Sequence, residues 1–233
     1  MDKLILVNKK HAIDKDFVPS HLVVTDNNEN NFHGYLDPTL KPMIRKEVLR
    51  HFNELRKEAL DKKLDIIIDS GYRSSDYQVR VLIDVYNKYV EELKNESLAY
   101  DKTMARVAMP GHSEHQTGLA FDMACFRNGE YFDNMVDSPE AEWMAKNAHK
   151  YGFILRYPYG KEAITGYDYE PWHFRFVGQK HSLYIYENDI TFEEYHELLL
   201  KKKPFGWMVF YCNKKISITD LFILFNCSDF FCR

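Results

Sequence analysis

Pro110-Gly111-His112-Ser113-Glu114-His115-Gln116-Thr117-Gly118-Leu119-Ala120-Phe121-Asp122 carries most of what this chain discloses about itself. It contains a histidine, His115, and a carboxylate, Asp122, both good ligands for a divalent metal. Their spacing is too long for a pair on one helical turn. It suits a loop or turn that delivers the histidine and a strand that delivers the carboxylate, with Gly118 letting the backbone bend between them. Further on stands Glu170-Pro171-Trp172-His173. Two histidines, an aspartate and a spare glutamate make the components of an open zinc site with a built-in base. The same residues also admit a plainer reading: a solvated loop histidine, a strand-end aspartate, an exposed glutamate and a half-buried histidine beside Trp172. In an extended segment Glu170 and His173 point to opposite faces, and a local kink at Pro171 is needed to bring both to one place. Spacing alone leaves both readings standing.

The flanking sequence supplies a scaffold. Leu119 to Phe126 reads as a strand carrying Asp122, and Leu64 to Asp69 as a short β-branched buried strand. That strand runs into Ser70-Gly71-Tyr72-Arg73-Ser74-Ser75. Ser75 with Gln78 has the form of a capping box, opening a helix to about Lys94 with Val79, Leu82, Ile83, Tyr86 and Val90 along one side. Arg73 thus falls at a strand-to-helix corner, where a side chain can point into a cleft. Before it, Ile44, Val48, Leu49, Phe52, Leu55 and Ala59 recur at helical spacing from about Thr39 to Asp61, with Asp37-Pro38 or Thr39 as the cap. Leu4 to Val7 and His21 to Thr25 read as short strands or extended segments, with a turn-rich loop at 26–31 after them. Tyr100 to Ala108 reads as a short helix ended by Pro110. Ser138-Pro139-Glu140 starts a helix that runs to Tyr151 and stops at Gly152. Residues 153–157 and 172–177 read as strands, and Thr191 with Glu194 caps a last helix to about Lys202.

Bulk properties narrow the classes. A chain of 233 residues holds one domain with a real core, and 45% hydrophobic with 28% charged residues is ordinary for a globular protein. A formal net charge of -4 argues against nucleic acid as a partner. Four cysteines, Cys125, Cys212, Cys227 and Cys232, form no CxxC pair, so neither a disulfide framework nor a cysteine zinc site is expected, and Cys125 reads as core. There is no nucleophile elbow and no phosphate-binding glycine loop. The apolar run Leu4–Val7 is shorter than the ~7–15 residues of a signal-peptide core, and none reaches the ~18 of a transmembrane span. The expectation is therefore a cytoplasmic protein, unless the true start lies upstream and carries an export signal. Residues 1–203 read as the folded domain. Residues 204–233 form an aromatic-rich tail: a packed appendage, an amphipathic contact, or a read-through or frame-shifted end.

Chemically, zinc on two histidines and one carboxylate keeps a net charge of about +1 and lowers the pKa of a bound water toward ~7. Glu170 would take that water's proton and pass it to a leaving amine. The negative charge growing on an attacked carbonyl needs a further cation, and Arg73 is the candidate. Its plainer role is to cap a helix or pair with an acid.

Ser113-x-His115-x-x-Gly118-x-Ala120-x-Asp122, Glu170-x-Trp172-His173 and Ser70-Gly71-Tyr72-Arg73-Ser74 together resemble the zinc D,D-peptidases of vancomycin resistance, of the VanY, VanX and VanXY types. The likeness runs from about Leu4 to Lys202, includes Tyr151–Pro158 and Ile164–Gly166, and looks closest to the anchor-free VanXY type. The resemblance implies one Zn2+ per chain on His115, Asp122 and His173, with Glu170 as general base. It implies that Arg73 steadies the carbonyl or oxyanion, that Ser113 holds the substrate's terminal carboxylate and that Gln78 lines the pocket. It implies an α+β fold, a small central antiparallel sheet flanked by helices with the zinc site in a cleft, of the Hedgehog/D,D-peptidase-like kind. The activity implied is hydrolysis of the D-Ala-D-Ala bond in peptidoglycan precursor peptides, by a D,D-carboxypeptidase that also takes the free dipeptide in some relatives, in glycopeptide resistance or cell-wall remodelling. Two alternatives stand beside it. One is an L,D-carboxypeptidase acting on stem tetrapeptides. The other is a non-catalytic zinc or cell-wall binding module, which would be expected to have lost its base or its arginine.

Overall fold

Alternation along a single strand separates the two sides of this protein. In the computed structural model, which describes residues 2–25 and 41–202, the strand Ala120–Arg127 turns Phe121, Met123 and Cys125 into the apolar core. Asp122 lies between them in sequence and so emerges on the opposite face. The elements in chain order are β1 (Leu22–Val24), β2 (Met43–Arg45), α1 (Lys46–Asp61), β3 (Asp65–Ser70), α2 (Ser75–Leu93), α3 (Glu96–Arg106), β4 (Ala120–Arg127), β5 (Glu130–Phe132), α4 (Pro139–Asn147), β6 (Phe153–Leu155), α5 (Glu162–Thr165), β7 (His173–Phe176), α6 (Gln179–Glu187) and α7 (Phe192–Lys202). The fold is α+β. An antiparallel sheet runs β3-β4-β7-β6, with β5 also on β4, and β1 and β2 form a separate pair. The described residues up to His196 form one compact unit, and the site described below lies wholly within it.

The core lies on one face of the sheet. Phe121 is ringed by Phe52, Phe153 and Phe174 at centroid distances of 5.2, 5.4 and 6.0 Å. Val48, Phe52, Leu55 and Ala59 form the buried stripe of α1. Each such fully buried large side chain contributes about 1.5–3 kcal/mol.

Several boundaries differ from the sequence expectation, each for a physical reason. Met43–Arg45 is strand rather than helix: its backbone is satisfied by β1, and the Arg45 N–H donates to Gly118 O (3.2 Å). The cap of α2 is Ser74, not Ser75; its hydroxyl accepts from the Tyr77 N–H at 3.1 Å. The apolar side expected for α2 is not its buried side, since Val79 and Ile83 are 39% and 52% exposed while Gln78 and Val81 are buried. Asn95 starts α3 earlier than Tyr100. Leu4–Val7 forms no strand, although Leu6 and Val7 are buried. β5, α5 and α6 were not expected; β5 follows Asn128-Gly129, both at positive φ, the pair that favours a tight hairpin. The Ser138 cap, the left-handed stop at Gly152 and the reciprocal Thr191–Glu194 cap are present as expected. The loop 26–31, the caps proposed at 37–39 and the tail 204–233 lie outside the described residues. Among the described residues no helix is long and apolar enough to cross a membrane.

Candidate active site

The sheet register assembles the site. Asp122 on β4 pairs with His173 on β7 and with Ser70 on β3, and directly opposed residues share a face with Cβ atoms ~4.5–5.5 Å apart. His115 comes from a short 3-10 turn, Glu114–Thr117, ended by Gly118 at φ +65. Its Nε2 lies 3.3 Å from Asp122 Oδ2, and His173 Nδ1 lies 3.0 Å from Asp122 Oδ1. One ligand atom from each of the three residues lies within 4.8 Å of the others, the one such metal-ligating group among the described residues.

The tautomer of His115 suits a ligand. Its Nδ1 is 2.7 Å from Gly71 O. A carbonyl only accepts, so Nδ1 carries the hydrogen and Nε2 presents its lone pair toward Asp122. Burial pushes the His115 pKa down to about 4, which keeps the ring neutral. Gly71 is required there: a Cβ would meet Met43 O at 2.1 Å. Burial alone would raise the Asp122 pKa, but the Arg73 guanidinium beside it holds its carboxyl well below the usual range. Two imidazole nitrogens and one carboxylate, with a cleft on the open side, are the donor set of a four-coordinate site with one position free.

Around this triad stand the other expected residues. Arg73 donates from Nε to Ser70 Oγ at 2.9 Å and pairs through Nη2 with Asp122 Oδ2. Glu170 and His173 are joined by a turn, not an extended segment: the His173 N–H donates to Glu170 O at 3.2 Å. That turn brings Glu170 Oε2 within 3.8 Å of His173 Nδ1. Glu170 is 5% exposed, and burial pushes its carboxyl up to about 8. Arg73, Gln78, Ser113 and Glu170 all line a cleft of about 490 Å³ that continues along α2. Gln78 donates from Nε2 to Ala108 O at 2.9 Å, while its Oε1 is buried without a hydrogen-bond partner. His112 turns away from the triad, its Nδ1 2.7 Å from Asn8 O.

A family model described as VanY, D-alanyl-D-alanine carboxypeptidase, matches residues 41–179, more than half of the chain. The chain belongs to the VanY family. Among relatives, it is 42% identical over 199 residues to the putative carboxypeptidase YodJ of Bacillus subtilis (strain 168), covering 85% of this chain and 68% of YodJ. It is 38% identical over 205 residues to the bifunctional D-Ala-D-Ala dipeptidase and D-Ala-D-Ala carboxypeptidase VanXYC of Enterococcus gallinarum, covering 85% of this chain and 96% of VanXYC. A solved structure of the vancomycin resistance D,D-pentapeptidase VanY from a VanB-type cassette, in complex with Zn(II), matches with a TM-score of 0.70 at 28% identity, covering 83% of this chain and 98% of that one. The LD-carboxypeptidase LdcB matches with a TM-score of 0.66 at 39% identity, covering 82% and 84%.

Sequence reasoning missed part of this VanY-family site. Glu114, Arg156 and Arg175 are buried charges behind His173. Arg175 alternates with the core residues Phe174 and Phe176 along β7, and a charged residue inside such a short apolar strand was the available signal. Glu114 sits inside the motif itself, between Ser113 and His115. Burial would raise its pKa, but Arg156 and Arg175 hold its carboxyl well below the usual range.

Proposed function

We propose that this VanY-family chain is a zinc metallopeptidase that removes the C-terminal D-alanine from peptidoglycan precursor peptides ending in D-Ala-D-Ala. One observation carries the reading: His115, Asp122 and His173, from a turn and two strands, place ligand atoms within 4.8 Å of one another at the floor of the cleft that holds Glu170 and Arg73. His115, Asp122 and His173 would hold the ion. Zinc bound there supplies Lewis-acid polarisation of the scissile carbonyl and a water acidified toward a pKa of about 7.

The remaining work falls to side chains. Glu170 takes the proton of the attacking water and delivers it to the amine nitrogen of departing D-alanine as the C–N bond breaks. Its burial favours a carboxyl that can both accept and return a proton near neutrality. Arg73, anchored by Nε on Ser70 and by Nη2 on Asp122, offers Nη1 to the oxyanion. Ser113 donates its hydroxyl to the substrate's terminal carboxylate, and Gln78 lines the pocket beside it. The α2 wall from Gln78 to Glu92 is roughly 20 Å of helix at about 1.5 Å per residue. An extended dipeptide spans only about 7 Å. The cleft therefore favours a longer stem peptide over the free dipeptide.

Residues 1–203 are taken as the catalytic domain, with 204–233 outside it. The cytoplasmic placement and a role in glycopeptide resistance or wall remodelling belong to the same proposal, and cell fractionation tests the first. The activity is tested by incubating the protein with a pentapeptide stem, a tetrapeptide stem and D-Ala-D-Ala, with and without a chelator. Chelator-sensitive D-alanine release from the pentapeptide is expected. Release from the tetrapeptide alone would establish the L,D-specific reading that the LdcB likeness represents, and no release from any of the three would support a binding module.

A further inference from the structure

We infer that Glu114 is a positioning residue that fixes which nitrogen of His173 meets the metal, an inference that rests on the zinc reading above. Glu114 opens the 3-10 turn that also carries His115, and it is 1% exposed. Two fully buried arginines converge on one of its oxygens. Arg156 donates from Nε to Oε1 at 2.8 Å, and Arg175 Nη1 stands at ion-pair distance, 2.9 Å, off the hydrogen-bond line. Both guanidiniums are held elsewhere too. Arg156 forks onto Glu193 at 2.9 and 2.6 Å, and Arg175 Nη2 donates to Lys3 O and Ile5 O at 2.9 and 2.8 Å.

A carboxylate kept only to balance two arginines would be expected to spread both oxygens across them, as paired forks do. Here Oε2 is left over. It is buried, has no hydrogen-bond partner, and faces His173 Nε2 at 3.7 Å, itself buried and without a partner. An ionised carboxylate oxygen can only accept. In the neutral ring that a metal ligand must be, the contact is productive only with hydrogen on Nε2, which leaves the lone pair on Nδ1. That is the atom 3.0 Å from Asp122 Oδ1, on the metal side. A shift of roughly 0.5–1 Å brings the Glu114–His173 pair to hydrogen-bond length. The rings of His115 and Tyr157, each with its centroid 4.9 Å from that of His173, limit how the imidazole can tilt while it does so. Glu114 thus does for His173 what Gly71 O does for His115. The two ligands then meet the ion through different nitrogens, Nε2 of His115 and Nδ1 of His173, each set by what its other nitrogen touches.

The test uses the zinc-loaded full chain. Long-range proton–nitrogen correlation on histidine-labelled wild type should show His173 with Nε2 protonated and Nδ1 coordinated. The opposite arrangement would overturn the inference, and this measurement needs no variant that might fail to fold. Glu114→Gln, titrated against a chromogenic chelator, should bind zinc about 10–100-fold more weakly than wild type. Affinity within twofold of wild type would overturn the role of Glu114 while leaving the metal reading intact. A wild type that takes up no zinc at all would overturn both.

Discussion

Replacing Glu170 by Gln separates catalysis from stability. The substitution keeps shape and removes the base. A positioned general base contributes about 10²–10⁴-fold, or roughly 3–5 kcal/mol of barrier, so turnover on the pentapeptide should fall by that factor. Zinc content should not change, because the ligand atoms belong to His115, Asp122 and His173. Stability should move the other way. Burial raises the Glu170 carboxyl to about 8, against about 4.3 in an unfolded chain. A carboxyl raised on folding stabilises the fold fully below the unfolded value and loses that contribution as pH climbs through the folded one. By pH 7 the loss is at most about 4 kcal/mol, and a bound dication reduces it. With chelator present, urea denaturation should therefore find Glu170→Gln gaining on wild type between pH 5 and pH 7.5. Turnover within tenfold of wild type would refute the base assignment. A variant that loses ground as pH rises would refute the electrostatic reasoning.

Arg73→Ala should keep zinc and lose about 10²–10³-fold in kcat, because the cation aimed at the oxyanion is gone; unchanged kcat with a raised KM would make it a simple binding residue. Phe121→Ala, at the centre of the Phe52, Phe153 and Phe174 cluster, should cost about 3–5 kcal/mol in urea denaturation, and a cost below 1 kcal/mol would contradict the core described above.

What could be read from the sequence was what local spacing encodes. His115 and Asp122 are separated by a glycine and fall on a turn and a strand, and that much follows from residue type. The β-branched run before Ser70 and the caps at Ser138 and Thr191 are likewise local signals. What could not be read depends on partners distant in sequence. Met43–Arg45 belongs to a strand because β1 and Gly118 O receive it, although its apolar spacing continues the helical pattern of α1. Val79 and Ile83 have core chemistry, yet they lie on the exposed side of α2. Ser74 outcompetes Ser75 as the cap by one residue, a choice settled by geometry. Glu114 is in plain view within the motif, but only β7, bearing His173 and Arg175, and Arg156 just after β6 give it a role. The turn at Pro171 that unites Glu170 with His173 was one of two possibilities, decided by the hydrogen bond between their backbones.

The central claim is that residues 115, 122 and 173 share one zinc ion. A crystal grown with zinc and measured at the zinc absorption edge tests it directly. The account predicts a single strong anomalous peak in the cleft, about 2.0–2.2 Å from His115 Nε2, His173 Nδ1 and a carboxylate oxygen of Asp122. A peak coordinated by other side chains, or none at this position in protein that still releases D-alanine, would contradict it.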